Sequence, residues 1–283
     1  MYGVVCDGPT AFFAQRIPKR HGRRLGTDTK EQAFMLLQLS TWQEVDEYLG
    51  KSKGIIIPIG STEQHGPNGF IGTDALCPEI VARGIAEKME VLIAPTLSIG
   101  MAQHHLGFSG SITLRPSTLM AVVVDVVNSL SHHGFERCYF LNGHGGNIAT
   151  VSAAFSEVYA QSSLAAPGSN YPGVRCKLGN WFSGNRVRQL SRGLYGAAEG
   201  SHATPSEVSL TYYAYPDDIK HVDMSPAIAP SGTFYDATHY RTKFPDGRIG
   251  SNPALANAKD GERLFHAAVE DVIGDYQTFL SAP

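Results

Sequence analysis

Acidic and histidine side chains occur together in two short glycine-rich segments of this chain. The first, G-S-T-E-Q-H-G-P-N-G-F-I-G-T-D, contains Glu63, His65 and Asp74, and the second, N-G-H-G-G-N, contains His144. Imidazole nitrogens and carboxylate oxygens without thiolates suit zinc, manganese or iron at a hydrolytic centre. Asp74 could bridge two ions about 3.5–4 Å apart that share a hydroxide. Glu63 and His144 would then complete one coordination sphere, and His65 the other.

Two predicted strands must position these side chains. Residues 55–59 form a β-branched run of the kind found in strands buried on both faces, and the run ends at the first segment. Residues 137–141 precede the second segment in the same way. Because ligands collect beyond the carboxyl ends of parallel strands, we expect both segments at one crevice.

Each residue also has an ordinary structural interpretation. A histidine in a turn commonly serves as a hydrogen-bonding group, and glycines permit tight turns. Asp74 could cap the helix that follows it. The joint occurrence of these residues after two buried strands favours the metal site.

Three motifs follow one another along the chain, G-S-T-E-Q-H-G-P…G-T-D, then H-L-G-F-S-G-S-I-T-L, then N-G-H-G-G-N, and the resemblance that they carry extends over about residues 35–215. The order of residues in these motifs resembles that of the creatininase (creatinine amidohydrolase) family. The resemblance implies an α/β fold, with a mostly parallel sheet and helices on both faces. It also implies two divalent ions per chain, hydrolysis of carbon–nitrogen bonds in amides, cyclic amides or formamides, and a homo-oligomer, commonly a hexamer.

The resemblance makes the four side chains above metal ligands, with Asp74 as the bridging carboxylate. Creatininases have a further ligand glutamate two positions after the N-G-H histidine, where this chain has Gly146. Other branches of the family take a glutamate from a later H-A-G-E-x-E-T-S segment. The corresponding segment of this chain is H-A-T-P-S-E-V-S. By this resemblance, Glu207 would be a ligand of the second ion.

His202 and Glu207, both in this later segment, are the expected catalytic residues. An imidazole near neutral pH can protonate the departing nitrogen after a metal-bridging hydroxide has attacked the amide carbonyl, so His202 is the expected proton donor. Alternatively, His202 only hydrogen-bonds its own loop. Glu207 also completes a capping box, T-P-S-E, with proline at the first helical position, and it could serve both purposes.

The residues expected to bind substrate are His105, Gly145, Gly146 and Asn147. Backbone N–H groups of the N-G-H-G-G-N turn could hold an oxyanion or a substrate carboxylate. His105 is expected to line the pocket, and its neighbour His104 to face solvent.

The aromatic cover of creatininases is not reproduced in this chain. Creatininases place a tryptophan shortly before the H-A-G histidine, whereas residues 196–200 read G-A-A-E-G. We therefore expect a substrate other than creatinine. Trp181 could supply an aromatic wall from elsewhere, or it could simply pack in the core.

Two other functions are compatible with parts of the pattern. G-H-G-G-N between a strand and a helix could cradle phosphate, as in a phosphoester hydrolase or a nucleotide-binding protein, although the sequence has no P-loop lysine. A metal could instead stabilise a non-catalytic binding module, but carboxylate-rich ligand sets favour an open catalytic site. The main prediction is a binuclear metal-dependent amidohydrolase that acts on a small non-peptide amide.

Composition sets limits on these predictions. The 283 residues, 42% hydrophobic and 17% charged, suit one large domain at residues 35–283 after an N-terminal extension of residues 1–34 with a basic cluster. A net charge of −3 gives no field for nucleic acid, and no apolar run reaches the length of a membrane span. Four separated cysteines and the absence of a signal-peptide pattern predict a cytoplasmic protein.

Alternation of strand and helix patterns along the chain predicts a parallel sheet. Helices are expected from the capping box at Thr41 and Glu44, and at residues 75–89, from 116, at 147–161 and at 253–280; strands are also expected at 91–93, at 111–114 and from 174. Residues 216–252, rich in proline, glycine and aspartate, could wrap the surface or a subunit contact.

Overall fold

The computed structural model describes residues 35–166, 168 and 173–282. Runs of β-branched and aromatic residues form a five-stranded parallel sheet in it. The strands are β1 (Met35–Leu36), β2 (Gly54–Ile59), β3 (Leu92–Ile93), β4 (Arg137–Asn142) and β5 (Arg175–Asn180), in the order β1-β3-β2-β4-β5. The helices among these residues are α1 (Trp42–Leu49), α2 (Thr73–Ala86), α3 (Pro116–His132), α4 (Asn147–Ser163), α5 (Asn185–Tyr195), α6 (Pro205–Ala214), α7 (Ala237–Lys243) and α8 (Ala258–Ser281). The proposed N-terminal extension lies outside the described residues.

Side chains of β2 and β4 alternate between two hydrophobic layers. Ile56 and Tyr139 point into a layer that includes residues of α2, α5, α6 and α8. Ile57 and Phe140 point into a second layer with residues of α1, α3 and α4. The predicted sheet with helices on both faces is confirmed, and the continuous apolar sequence of β2 is explained because both of its faces are covered.

The strand order places a topological switch point between β2 and β4. After β2 the chain passes to β3 on one side, and β4 then pairs with the opposite side of β2. The connecting helices α2 and α4 lie in different layers. A crevice therefore opens beyond the carboxyl ends of these two strands, where the glycine-rich segments begin.

Local signals for helix starts are confirmed, whereas one strand prediction is wrong. The capping boxes at Thr41 and Thr204 form as expected. Residues 111–114 make an isolated bridge, Thr62 with Ile112, rather than a strand. Here the Thr113 hydroxyl accepts the backbone N–H of Ala102 at 2.8 Å, so a side chain takes the place of a ladder partner.

Residues 216–252 pack through a buried arginine and a small apolar cluster. Arg248 is fully buried; its guanidinium donates to Asp246 and to the carbonyl oxygens of Pro226, Ala227 and Ser251, at 2.9 to 3.2 Å. The apolar cluster contains Tyr240, Phe244 and Ile249, with Phe108 and Phe234 packed against it. The segment is thus packed into the domain, and it borders the crevice.

Other sequence expectations concern packing. Trp181 is 1% exposed in the layer around α8, so it is a core residue and forms no wall of the crevice. Cys77, Cys138 and Cys176 are free thiols. Among the described residues, no helix has the length and apolar character needed to cross a membrane.

Candidate metal centre

Two glycines allow the first turn of α2 to approach the ends of β2 and β4. A Cβ atom at Gly60 would lie 2.1 Å from the carbonyl oxygen of Asp74, and one at Gly143 would lie 2.0 Å from the same atom. Any larger residue would push the helix away. Asp74 is therefore held directly beyond both strand ends.

Glu63, Asp74 and His144 form one buried group whose donor atoms all lie within 4.8 Å of one another. His144 Nδ1 is 2.7 Å from Asp74 Oδ2, and His144 Nε2 is 3.4 Å from Glu63 Oε2. These residues follow β2, begin α2 and follow β4. The structure therefore brings together three of the side chains expected to bind metal.

His65, Asp74 and Glu207 form a second group of the same kind. His65 Nε2 lies 3.0 Å from Asp74 Oδ1 and 3.8 Å from Glu207 Oε1. The two oxygens of Asp74 consequently face different groups, which is the arrangement that a bridging carboxylate requires. Glu207 is in the first turn of α6, where its carboxylate also accepts the backbone N–H of Thr204, so it takes part in capping and in the cluster together.

His105 and His202 lie on the other side of Glu63. His105 Nε2 is 3.1 Å and His202 Nδ1 is 3.7 Å from Glu63 Oε1, so these three residues form a further potential donor group. The Gln64 amide nitrogen lies 2.9 Å from both His105 Nδ1 and His202 Nε2. Sequence reasoning missed Gln64, although its position between Glu63 and His65 in E-Q-H could have marked it.

Backbone carbonyl groups orient two of the candidate ligand rings. His65 Nδ1 donates to the carbonyl of Glu63 at 3.1 Å, which leaves Nε2 facing Asp74. His144 Nε2 donates to the carbonyl of Met101 at 2.9 Å, which leaves Nδ1 facing Asp74. Metal-binding histidines typically have one nitrogen fixed in this manner and the other free for the ion.

The charges of the cluster shift the pKa of several groups. Burial disfavours imidazolium, but the carboxylates of Asp74 and Glu207 outweigh it and raise the pKa of His65 to about 10. Burial opposes the charge of His144 as well, yet Glu63 and Asp74 raise its pKa to about 9. Burial raises the pKa of Glu207 to about 7. Without metal, these groups hold protons that a cation would have to displace.

The histidines on the other side of Glu63 are neutral. Burial, together with the neighbouring His105 and His65, lowers the pKa of His202 well below its usual value. Burial with the neighbouring His65 and His144 lowers the pKa of His105 to about 3. The site thus combines imidazoles that favour a positive charge with imidazoles that exclude one.

The donor set fits divalent metal. Glu63 Oε1 and Asp74 Oδ2 are buried and accept no well-directed hydrogen bond from the described residues, although His144 Nδ1 lies 2.7 Å from the latter oxygen. Buried carboxylate oxygens of this kind are costly unless a cation compensates them. Imidazole and carboxylate donors match zinc, manganese and iron.

A cavity of 430 Å³ opens beside this cluster, with Glu63, His144 and His202 in its lining. His105, Gly145 and Gly146 also line the cavity, as the sequence predicted for a substrate pocket. The lining further includes groups that the sequence did not indicate, among them Met101, Phe234, Tyr235 and Tyr240.

Two expectations about the pocket require correction. Asn147, expected to bind substrate through the backbone N–H groups of its turn, does not line the cavity; its N–H donates to the carbonyl of His144 at 3.2 Å, and its fully buried side-chain amide donates to the carbonyl of Gly60 and accepts the N–H of Met101. Its side chain therefore holds loops together and does not line the cavity. His104, expected to face solvent, lines the cavity and stacks on Phe234 at 4.7 Å, because the segment of residues 216–252 folds over it.

The family model for creatininase, described as creatinine amidohydrolase, matches residues 38–274. The chain belongs to the creatininase family. This membership confirms the predicted hydrolase of carbon–nitrogen bonds, and the buried clusters of histidine, aspartate and glutamate are those of a metal-binding member. The phosphoester hydrolase and the non-catalytic binding module find no support in it.

Creatininase-family relatives cover most of the chain. A mycofactocin precursor peptide peptidase of Mycobacterium ulcerans is 26% identical over 92% of this chain and 92% of its own length. The creatinine amidohydrolase of Pseudomonas putida is 27% identical over 82% of this chain and 92% of its own length. A solved structure described as Creatininase Mn has a TM-score of 0.75 at 22% identity, covering 88% of this chain and 100% of that one, and shows the shared fold.

Proposed function

We propose that this protein hydrolyses the amide bond of a small molecule with two divalent ions per chain. Glu63, Asp74 and His144 would hold one ion, and His65, Asp74 and Glu207 the other. The observation that carries this proposal is that the two oxygens of Asp74 face different donor groups. Zinc, manganese and iron suit the donors. The names of two solved relatives, a manganese creatininase and a creatininase mutant of Zn-Zn type, support a pair of zinc or manganese ions.

When bound, the ions would supply an acidified water and a polarised substrate carbonyl. The chain itself must then move a proton from the attacking water to the departing nitrogen. His202 Nε2 donates to the backbone carbonyl of Gln64 at 2.8 Å, so the lone pair of Nδ1 faces Glu63. Because the lowered pKa keeps this imidazole neutral, Nδ1 first accepts the proton and then donates it.

Backbone groups at the start of α4 can stabilise negative charge in the cavity. The N–H groups of Gly145 and Gly146 make no hydrogen bond to the part of the chain that the structure describes. Both residues line the cavity beside His144. A substrate oxygen that gains charge in the transition state would find two donors and a helix N-terminus there.

The size of the cavity favours a non-peptide substrate. A volume of 430 Å³ suits one small molecule, whereas a peptide would extend beyond it. The relatives named as peptidases make a short peptide the second candidate, because they match almost the whole chain. Measuring the rates at which the protein hydrolyses small amides and short peptides would distinguish the two candidate substrates.

Metal analysis combined with two substitutions tests the proposal. We expect Glu63→Gln to lose metal and activity together, because it removes a ligand charge. His202→Ala should keep the metal content of the unchanged protein and slow turnover by about 10²–10⁴-fold, because it removes only proton transfer. Full activity of the His202 variant, or metal-independent hydrolysis, would contradict the assignment.

The proposal also includes the assembly and the compartment of the protein. We propose a homo-oligomer, hexameric as the family resemblance implies, which light scattering of the full chain would test. We also propose that the protein works in the cytoplasm, consistent with three free cysteines among the described residues.

A further inference from the structure

The side-chain amide of Gln64 is held in one orientation from both sides. Its Oε1 accepts the backbone N–H of Gly66 at 2.8 Å, and its Nε2 donates to the backbone carbonyl of Gly247 at 2.9 Å. A flipped amide would set oxygen against oxygen and nitrogen against an N–H group. Gly247 permits this close approach, because a Cβ atom there would lie 1.9 Å from Gln64 Oε1. The donor and acceptor sides of the amide are therefore determined.

The fixed amide determines which nitrogen of His105 carries the proton. The second proton of Gln64 Nε2 is available to His105 Nδ1 at 2.9 Å, and only a lone pair can accept it. The proton of the neutral ring must then lie on Nε2, which faces Glu63 Oε1 at 3.1 Å. Burial and stacking on His202, with ring centroids 4.4 Å apart, hold the His105 ring in this orientation.

His202 also has its proton on Nε2, but it presents its other nitrogen to Glu63. His202 Nε2 donates to the backbone carbonyl of Gln64 at 2.8 Å, so it cannot also accept from the amide nitrogen 2.9 Å away. The bare Nδ1 of His202 faces Glu63 Oε1 at 3.7 Å. Two imidazoles thus approach the same carboxylate oxygen, one with an N–H group and the other with a lone pair.

This difference decides whether the group of Glu63, His105 and His202 can hold a cation. Its donor atoms all lie within 4.8 Å of one another, a spacing that would admit a metal ion. A metal ion needs the lone pair of each ring, and an imidazole N–H group has none to offer. An ion here would also occupy His202 Nδ1, the atom assigned to proton transfer under the proposed function.

We propose that Gln64 is a positioning residue that keeps cations out of this third donor group. Its amide fixes the proton of His105 on Nε2, and His202 Nδ1 consequently stays free for proton transfer. Residues that hydrogen-bond the far side of an imidazole commonly set its tautomer for metal binding. Here the same kind of contact prevents it. The catalytic consequence rests on the proposed function, whereas the exclusion of a cation does not.

Nitrogen NMR of the zinc-loaded protein, labelled with 15N in its histidine rings, tests the proton positions directly. Protonated and bare ring nitrogens have well-separated shifts, and the two sets of signals are identified by their loss in His105→Ala and in His202→Ala. We expect both rings to carry the proton on Nε2. A His105 ring protonated on Nδ1 would overturn the proposal, and this measurement does not require any Gln64 variant to fold.

Exchanging the amide nitrogen for oxygen should create the missing metal site. Gln64→Glu has nearly the same shape, but a carboxylate cannot donate, so His105 must place its proton on Nδ1 and present a lone pair to Glu63. After dialysis against excess zinc, we expect three ions per chain in this variant and two in the unchanged protein. Gln103→Glu adds the same charge at an exposed position of the cavity lining and should stay at two.

A double variant and a turnover measurement extend the test. Gln64→Glu combined with His105→Ala should return to two ions, because it removes the ring that gained the lone pair. In Gln64→Glu alone, turnover at three ions per chain should fall about 10²-fold below turnover of the same variant at two, since the extra ion takes the lone pair of His202.

The outcomes separate the role of Gln64 from the proposed function. Equal zinc content of Gln64→Glu and the unchanged protein, or a third ion that survives in the double variant, would overturn the exclusion of cations. Equal turnover at two and at three ions would overturn its catalytic consequence. An unchanged protein that binds no pair of ions would count against the proposed amidohydrolase, and the proton position on His105 would still decide the role of Gln64.

Discussion

Asp74 is the residue on which the candidate site depends. Its carboxylate is buried between His65 and His144, and burial, which would favour protonation, is outweighed by these two imidazoles, so the pKa of Asp74 is lowered. Asp74 therefore stays ionised throughout the pH range in which enzymes work. Replacing Asp74 with a neutral residue would leave His65 and His144 without the carboxylate that both of them face.

Gly145 and Gly146 are neighbours with opposite steric surroundings, which allows a matched test of the His144 position. A Cβ atom at Gly146 would lie 2.3 Å from His144 Nε2, whereas one at Gly145 would meet no atom within 4 Å. We expect Gly146→Ala to displace the imidazole and weaken metal affinity about 10–100-fold, and Gly145→Ala to retain it. Competition with a coloured chelator measures the metal affinity of both variants.

The backbone of Gly146 is in the right-handed helical region, so alanine adds bulk there without backbone strain. Equal affinities of the two alanine variants would show that the His144 ring can move freely, and would remove the steric argument.

At the scale of elements, the sequence of residues 216–252 shows no regular hydrophobic periodicity, yet the segment contains α7 and forms a wall of the cavity. Arg248 organises it by donating to one carboxylate and to three backbone carbonyl groups from both ends of the segment. A buried guanidinium can satisfy several acceptors at fixed angles, which a lysine ammonium cannot.

Arg248→Lys should therefore lower the free energy of unfolding by about 2–4 kcal/mol, since it leaves buried carbonyl groups unpaired while keeping the charge. Urea unfolding measures this change, and limited proteolysis should show earlier cleavage within residues 216–252. Arg192→Lys, at an exposed position of α5, is the control and should stay within about 0.5 kcal/mol. An unchanged midpoint for the Arg248 variant would contradict its anchoring role.

The elements that sequence patterns predicted well are those whose signals are local. β2 and β4 read as buried strands because both faces are covered, and the capping boxes at Thr41 and Thr204 need only four residues each. Parallel pairing then brings their following loops together, so the convergence of Glu63 and His144 could be predicted.

What sequence patterns could not show depends on contacts between distant segments. Phe234 reaches the cavity because Arg248 folds its segment inward, and nothing around residue 234 indicates this. Asn147 looked available for substrate, but its amide is used by loops that the sequence does not place beside it. The proposed boundary at residue 35 stays a prediction.

At the scale of the whole molecule, stability should couple to metal and to pH. In the metal-free protein, the pKa values of His65 and His144, about 10 and about 9, lie above the unfolded value of 6.5. Their ion pairs therefore contribute stability that is complete below pH 6.5 and is lost as pH rises towards 10. Bound metal has the opposite dependence, because it must displace those protons.

The gap in Tm between manganese-loaded and chelator-treated protein should consequently widen between pH 6 and pH 8.5. A saturating ion at about 100 times its Kd adds about 2.7 kcal/mol, and each kcal/mol shifts Tm by about 2–4 °C in a protein of this size. Calorimetric scans at both pH values measure the gap. A gap that narrows with pH would mean that the ions bind elsewhere.

The order of the donor groups along the chain has a consequence for biosynthesis. Glu63, Asp74 and His144 are all synthesised before α4, whereas His65 must wait for Glu207 in α6. Gln64 and His202, which meet in the finished site, are 138 positions apart. On the proposed assignment, a chain that ends before residue 202 would hold the first candidate group but lack both Glu207 and His202, so we expect incomplete products of translation to be inactive.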